Sequence, residues 1–443
     1  MNGASVPLRV WSKSEKCLVA NLVALTIAKI PALIGMVLTP TRPRGSTYAP
    51  FTKRSPLVTA VTSPAQRQVI LYVCCMGMMN LSFATVAPAT NLTAIAGEFG
   101  MNHAEKGLLL SSAFWGVTAS LLVAGPLADR CGFRMLLFAS ALLEATGLAI
   151  LAWAPQQSVA MIGGAVLGVG TGFGDALFTP LVCALFPDRR TRYANLLHAF
   201  YPIGLVISVT VVLLLQYLGW NWRHIVMVLA VLALPCGLAI LTLRLPHKSH
   251  EGTTRLRGRE LLKYGSFAVL LSAIFLAGAT ELGPYTWLPN FVQEATDGSE
   301  TQGSLGLILL AATMGVGRLS CSGLIQRFGA RKLFVVGGVA ATFSLLLAAL
   351  PIGMLPTILA LSVLGFAISG FWPTILARAG DRFPNAGASM YAMLTAAGCF
   401  GGVVSPSFMG VVADTFNLRV AFALLAVAPV AIMLLMGIGK MRE

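Results

Sequence analysis

A ten-residue motif occurs once in each half of this chain. The first copy reads Gly125-Pro-Leu-Ala-Asp-Arg-Cys-Gly-Phe-Arg134, and a degraded second copy reads Ser322-Gly-Leu-Ile-Gln-Arg-Phe-Gly-Ala-Arg331. Leucine, arginine, glycine and arginine recur at four matching positions. The register then continues, because Val166-Leu-Gly168 aligns with Val363-Leu-Gly365. The two halves therefore follow one plan.

Apolar runs dominate both halves. Hydrophobic residues make up 56% of the chain and charged residues 11%, whereas a soluble domain carries about 25% charged residues. A run of about 20 apolar residues spans the hydrocarbon core of a bilayer, and it must be helical there because lipid cannot pair backbone groups. We therefore predict an all-α membrane protein of twelve transmembrane helices, arranged as two parallel six-helix repeats, which is an architecture of rocking transporters. The predicted spans are approximately 68–90, 106–127, 134–153, 159–184, 191–214, 224–244, 265–289, 304–324, 333–352, 355–378, 388–412 and 419–438.

The segments outside the spans define the domain organisation. Residues 1–66 form a basic N-terminal extension, predicted to be weakly ordered or interfacial. Lys29 near the middle of its apolar run argues against a thirteenth span, since a cation there costs about 2.5–3.5 kcal/mol. A transit peptide and a translation start assigned too early remain open alternatives. The predicted N-terminal bundle covers 67–244, a cytoplasmic linker 245–263 and the C-terminal bundle 264–443.

The positive charges behind the net charge of +15 are distributed unevenly among the loops. If the segment before the first helix is inside, most Lys and Arg fall in the even-numbered loops and at the C-terminus. This asymmetry predicts a multi-pass protein of the plasma (inner) membrane with both termini in the cytoplasm, and it leaves no role for nucleic acid. The eight cysteines lack metal or disulfide spacing and indicate apolar packing. We expect no metal site and no cofactor.

The first motif copy resembles the loop between helices two and three of the major facilitator superfamily, G-x-L-x-D-R-x-G-R-[RK]. Only the last basic pair is displaced by one position, and the resemblance covers residues 67–440. In that family the cluster latches the cytoplasmic side. Gln326 replaces the aspartate in the second copy, which implies a weaker latch there. The gating residues implied are Gly125, Asp129, Arg130, Gly132, Arg134, Arg327, Gly329 and Arg331.

Three further segments look like the fucose/sugar–proton symporter branch. They are Gly168-Val-Gly-Thr-Gly-Phe-Gly-Asp175, Asn195-Leu-Leu-His-Ala-Phe-Tyr201 and Glu281-Leu-Gly-Pro-Tyr-Thr-Trp-Leu-Pro289. The first predicted helix departs from that branch, whose symporters generally carry an acid there. The region reads Met78-Met-Asn-Leu-Ser-Phe-Ala84 in this chain, and Asn80 is polar but cannot ionise. The fifth helix also lacks the glycine-rich signature of drug–proton antiporters, which disfavours an exporter.

Three acids fall inside predicted spans, and an ionisable group there is paired, neutral or functional. Asp175 and His198 lie at matching depths, so they could form a proton relay or a structural hydrogen bond. Glu281 precedes two prolines, which free backbone carbonyls, and two aromatic residues that suit a sugar or an interfacial belt. Glu144 lies on a peripheral helix and is predicted to make an interhelical hydrogen bond.

These observations predict a secondary active transporter that moves a small polar solute, a monosaccharide or a relative, by proton symport. No nucleotide-binding loop and no catalytic constellation is present, so we expect no enzyme. An exporter of the same fold and a non-transporting membrane receptor are the alternatives. The expected partners are the solute, a proton and the lipid bilayer, and the expected state is a monomer. The predicted proton-coupling residues are Asp175, His198 and Glu281, and the predicted solute-binding residues are Asn80, Asn195, Tyr201, Glu281, Tyr285, Trp287 and Trp372.

Overall fold

The computed structural model describes residues 63–186, 190–245, 258–383 and 386–438, apart from the side chains of 129, 190–192, 195, 258, 259, 322, 387–389 and 438. Nearly all of the predicted extension and residues 246–257 of the predicted linker lie outside this description. Within it, every regular element is a helix and no strand occurs.

Twelve helices in the described part of the chain are long and apolar enough to cross a membrane. This confirms the predicted all-α fold, and most bounds agree within a few residues. The seventh helix is the clearest difference, because it continues past its predicted end at 289. The spans are α1 Pro64–Ala89, α2 His103–Ala128, α3 Arg130–Ala152, α4 Gln157–Leu185, α5 Leu196–Tyr217, α6 Trp222–Thr242, α7 Gly265–Ala295, α8 Glu300–Cys321, α9 Ala330–Ala349, α10 Met354–Arg382, α11 Met390–Thr415 and α12 Leu418–Gly437.

Several spans are not regular throughout. Helix α10 consists of Met354–Ile368 and Phe371–Arg382. Pro373 explains this break, because it has no N–H to offer the carbonyl four residues earlier and its ring crowds that carbonyl. Two other spans are also interrupted: α1 consists of Pro64–Asn80 and Phe83–Ala89, and α12 of Leu418–Leu425, Val427–Ile432 and the π-helix Met433–Ile438. Two short helices, Leu92–Phe99 and Gly258–Leu261, lie between spans.

The repeated motif forms the same turn in both halves. Gly132, between α2 and α3, has φ 80° and ψ 154°. Gly329, between α8 and α9, has φ 82° and ψ 150°. Backbone conformations of this kind are essentially restricted to glycine, so both copies place a glycine where the chain needs one. The sequence duplication is therefore also a duplication of backbone geometry.

The two ends of the bundle are named here by their loops. The odd-loop face carries the connections α1–α2, α3–α4, α5–α6, α7–α8, α9–α10 and α11–α12, and the even-loop face carries the others. Near the odd-loop face the two halves meet closely where α2 crosses α11. A Cβ on Gly107 would lie 2.5 Å from the Pro406 carbonyl oxygen, and one on Gly410 would lie 2.3 Å from that of His103. Only glycine permits this approach of the two backbones.

Candidate functional site

An ion pair lies inside the membrane domain, between α7 and α8. Arg318 Nη2 donates to Glu281 Oε1 at 2.7 Å. The two side chains are 15% and 8% exposed. A charge within a transmembrane bundle is costly unless it is paired, and removing one partner of such a pair leaves the other uncompensated. Glu281 therefore has a partner that the sequence analysis did not name.

The pair interacts with groups of the other half. Arg318 interacts electrostatically with Asp175 on α4 and His198 on α5. Tyr201 on α5 interacts with both members of the pair. We call Asp175, His198, Tyr201, Glu281 and Arg318 the central polar cluster. It joins elements of both six-helix halves, and three of its members come from the N-terminal half.

The predicted Asp175–His198 relay is not a direct contact. His198 Nε2 lies 3.0 Å from Thr179 Oγ1, on α4, and the described contacts include no hydrogen bond between Asp175 and His198. Thr179 follows Asp175 by one helical turn, which places both on the same side of α4. The histidine therefore reaches the helix that was predicted, one turn from the predicted acid.

Two of the predicted solute-binding residues serve other contacts. The Asn80 side-chain amide is buried and donates to the Ala233 carbonyl on α6 at 3.3 Å. The Trp287 indole is fully buried, and its Nε1 donates to the Pro406 carbonyl on α11 at 3.1 Å. These interhelical hydrogen bonds occupy a donor of each side chain, and the two solute contacts stay predictions.

The remaining predicted solute-binding residues differ in their surroundings. The Tyr201 hydroxyl lies 3.2 Å from Thr85 Oγ1 on α1. The Tyr285 hydroxyl is fully buried and donates to Met314 Sδ at 3.2 Å. Trp372 is partly buried where α2 and α11 meet, against a cluster that includes Val117 and Cys399. The side chain of Asn195 lies outside the description, although its backbone belongs to the helix Arg190–Tyr217. Tyr201 and Trp372 therefore remain the best placed of this set.

The two halves are joined at the odd-loop face by charged groups. The Asp414 carboxylate on α11 accepts from the backbone N–H groups of His103 and Ala104, at 2.9 and 2.8 Å. These are the first residues of α2, so the carboxylate lies at the positive end of a helix dipole. The His103 ring lies 3.1 Å from Asp414 Oδ1 and 2.7 Å from Glu294 Oε2, and Lys106 Nζ donates to Glu294 at 2.7 Å. We call His103, Lys106, Glu294 and Asp414 the odd-loop seal.

Further contacts continue the closure below the odd-loop seal. Ser111 Oγ on α2 lies 2.8 Å from Ser407 Oγ on α11 and 2.8 Å from the Val403 carbonyl oxygen. Phe114 packs with Leu282 and Val403, which brings residues of α2, α7 and α11 together. The passage between the halves is therefore closed from the odd-loop face inward.

The predicted gating residues lie at the even-loop face. Arg134 Nη2 donates to the Leu243 carbonyl at 2.7 Å, and Arg331 Nε donates to the Gly437 carbonyl at 2.5 Å. Each contact lies within its own half. Arg130 is exposed, and the Arg327 guanidinium lies 5.2 Å from the Phe328 ring centroid. The side chain of Asp129 lies outside the description, so a latch between the halves stays a prediction.

Glu144 lies apart from the central polar cluster. It is buried on α3 and packs against Gly170 of α4, where an added Cβ would lie 3.0 Å from Glu144 Cγ. Among the described residues its Oε1 has no hydrogen-bond partner. The interhelical hydrogen bond expected from the sequence stays a prediction.

The sequence of this chain is similar to those of known transporters. A family model for the Major Facilitator Superfamily matches residues 72–320 and 270–441. The niacin transporter of Acinetobacter baylyi is 22% identical, with 83% of this chain and 93% of that protein covered. The gentisate transporter of Corynebacterium glutamicum is 26% identical, with 72% of this chain and 75% of that protein covered.

Solved structures share the fold. The D-xylose–proton symporter superposes with a TM-score of 0.71 at 14% identity, covering 83% of this chain and 97% of that one. The E. coli fucose:proton symporter gives a TM-score of 0.61 at 17% identity, covering 85% and 100%. The duplicated motif, the twelve helices and the family match agree, and this chain belongs to the Major Facilitator Superfamily.

Proposed function

We propose that this protein imports a small polar solute, of the size of a monosaccharide, by proton symport through alternating access. The observation that carries the proposal is the Glu281–Arg318 ion pair, whose arginine interacts electrostatically with Asp175 and His198 of the other half. Ionisable groups at this depth are characteristic of proton and substrate pathways. A cluster shared by both halves is also positioned to respond when the halves move against each other.

The proposed cycle uses the two carboxyl groups of the central polar cluster. A proton on Glu281 neutralises the partner of Arg318 and frees the guanidinium. Asp175 is the acid that receives this proton first and passes it on to Glu281. Protonation therefore changes which charges in the cluster need compensation, and solute binding couples to it. The odd-loop seal must open in the opposite state, since alternating access exposes one face at a time.

The size and polarity of the solute are supported by the relatives and the structural neighbours. Their names specify niacin, gentisate, D-xylose and fucose, all of which are small polar molecules. Tyr201 offers a hydroxyl, and Trp372 offers an aromatic face at the contact between the halves. A monomer is sufficient for this function, because the cluster is complete within one chain.

We place the even-loop face on the cytoplasmic side of a plasma (inner) membrane, because Lys and Arg concentrate in its loops. A reporter fused after Glu443 or within residues 245–263 should then report a cytoplasmic location. A reporter inserted at Asp297 should report the outside. A cytoplasmic signal at Asp297 would reverse the orientation and with it the direction assigned to each face.

The central experiment is solute uptake into proteoliposomes under an imposed pH gradient. Asp175→Asn mimics a permanently protonated carboxyl, so this variant should exchange solute but no longer accumulate it. Glu144→Gln is the matched control, because it removes a buried acid away from the central polar cluster and should leave accumulation intact. Normal accumulation by Asp175→Asn would show that the proton is carried by another group.

The same vesicles separate the alternatives. An exporter would accumulate solute when the pH gradient is reversed, whereas an importer would not. A non-transporting receptor would bind solute but show no counterflow of labelled solute.

A further inference from the structure

We infer that the transported solute carries a carboxylate, and that Arg318 binds this carboxylate in place of Glu281. The inference rests on the proposed function and adds the chemical class of the solute. It is carried by an ion pair whose cation is only partly satisfied, at the contact between the two halves.

The hydrogen bonding of Arg318 is incomplete. A guanidinium offers five N–H donors, and Arg318 uses Nη2 toward one oxygen of Glu281. Among the described residues its buried Nε has no hydrogen-bond partner. A buried donor without a partner is destabilising, because it has lost its hydrogen bond to water. A carboxylate that approaches this edge would accept two parallel hydrogen bonds, which is the strongest arrangement that arginine makes.

Charge balance favours an anionic solute. A neutral solute would have to separate the Glu281–Arg318 pair without replacing either charge, and breaking a buried pair is strongly unfavourable. A carboxylate replaces Glu281 as the counter-ion of Arg318. Glu281 then takes up the proton, so one proton and one solute anion enter together. The net charge of the cluster is unchanged by this exchange.

The pair is not wholly enclosed, because Arg318 and Glu281 keep 15% and 8% of their side-chain surface exposed. The next turns of α7 toward the odd-loop face are fully buried, as Tyr285 and Trp287 show. Since the odd-loop seal also closes that side, a solute would reach the pair from the even-loop face.

Two sources share this chemistry, namely sugar acids and aromatic carboxylates. Matched probes distinguish them: glucuronate against glucose, and nicotinate against nicotinamide. The melting temperature of the purified protein is measured with each probe. We expect one carboxylate to raise the Tm and its neutral partner to leave it unchanged.

Variants assign the effect to the cluster. Arg318→Gln should weaken binding of the active carboxylate by about 10- to 100-fold, the equivalent of one charged hydrogen-bonded contact. If that variant does not fold, the double replacement Arg318→Gln with Glu281→Gln removes both charges of the pair together and should show the same loss. Arg244→Gln removes an exposed arginine at the end of α6 and should bind normally.

Uptake completes the test, because cotransport of one proton with one anion moves no net charge. Accumulation of the carboxylate should follow the pH gradient and ignore a valinomycin-imposed membrane potential. Stabilisation by glucose or nicotinamide but not by their acids, or by none of the four probes, would overturn the inference. Carboxylate binding without proton-driven accumulation would instead contradict the proposed symport and leave the solute class standing.

Discussion

Arg134 and Arg331 occupy matching positions of the two motif copies and make matching contacts. Each donates to a main-chain carbonyl at the end of the last helix of its own half, Leu243 at the end of α6 and Gly437 at the end of α12. A cation at a helix C-terminus is stabilising because it meets the negative end of the dipole. These arginines tie the motif turn to the far helix of each bundle, which helps each half to move as one body.

The first prediction concerns the glycines of that turn. Gly132→Ala and Gly329→Ala should each destabilise the protein by about 1–3 kcal/mol, because their positive φ strains any residue with a Cβ. Gly323→Ala is the matched control, since a Cβ there meets nothing within 4 Å and its φ is ordinary. Thermal unfolding of the three variants in detergent measures the difference. Equal melting temperatures for Gly132→Ala and Gly323→Ala would contradict the argument.

The second prediction concerns Asp129. If its carboxylate latches the even-loop face, Asp129→Asn should slow turnover while the protein remains folded. The balance between the two access states should also shift, and the labelling of cysteines introduced at either face would report it. Asp381→Asn is a useful control, since it removes a carboxylate on α10 outside the motif. Unchanged turnover together with unchanged labelling would exclude a latch at Asp129.

The third prediction concerns the odd-loop seal. Asp414→Asn weakens the acceptor of two N–H groups at the start of α2 and removes a charge beside His103. The state open to the odd-loop face should become more populated. A cysteine at Ser407, which now contacts Ser111, should then react faster with a membrane-impermeant maleimide. Glu260→Gln, in a short helix at the other face, should not change this rate. The seal has no gating role if both variants label alike.

Much of the fold was predictable because a membrane-spanning helix can be recognised from its own stretch of sequence. A run of apolar residues must be helical in lipid whatever surrounds it, so the twelve spans follow from the sequence. The end of α7 was missed because its last turns are polar and lie beyond the apolar run. Interhelical contacts depend on how each helix is rotated, and a helix that is apolar all round carries little periodicity to fix that rotation.

The candidate site shows the same limit. Glu281 was predicted as a site residue because a charged side chain inside a membrane span is costly unless it is paired or functional. The same rule applied to cations would have singled out Arg318 in the eighth predicted span. Its pairing with Glu281 required the structure, since the two residues lie on different helices. The interhelical hydrogen bonds of Asn80 and Trp287 also required the structure, because a polar side chain in a span satisfies a helix–helix contact as readily as a ligand. Sequence alone does not show which way it points.

The fourth prediction concerns an ion pair at the odd-loop face, between Glu98 and Arg223 in the first turn of α6. Arg223 also donates to the carbonyls of Ala152 and Ala154 and lies over the Trp222 ring at 4.5 Å. It thereby joins the short helix Leu92–Phe99 to the end of α3 and the start of α6. Arg223→Ala should therefore lower the melting temperature several-fold more than Glu98→Gln, since an exposed ion pair by itself contributes only about 0.2–1 kcal/mol. Similar losses in the two variants would contradict this ranking.

The Glu98–Arg223 ion pair also predicts how the stability of the protein changes with pH. Partial burial raises the pKa of Glu98, but hydrogen bonds from Arg223 and Trp222 outweigh it, and the pKa lies below its ordinary value of 4.5. A carboxyl whose pKa is lowered by folding stabilises the native state above the unfolded pKa and loses that contribution as pH falls through the folded one. The difference in melting temperature between wild type and Glu98→Gln should therefore be largest at pH 7 and become smaller as the pH drops below about 4. A difference that grows on acidification would mean that the carboxyl is stabilised in its protonated form, and the assigned hydrogen bonds would be wrong.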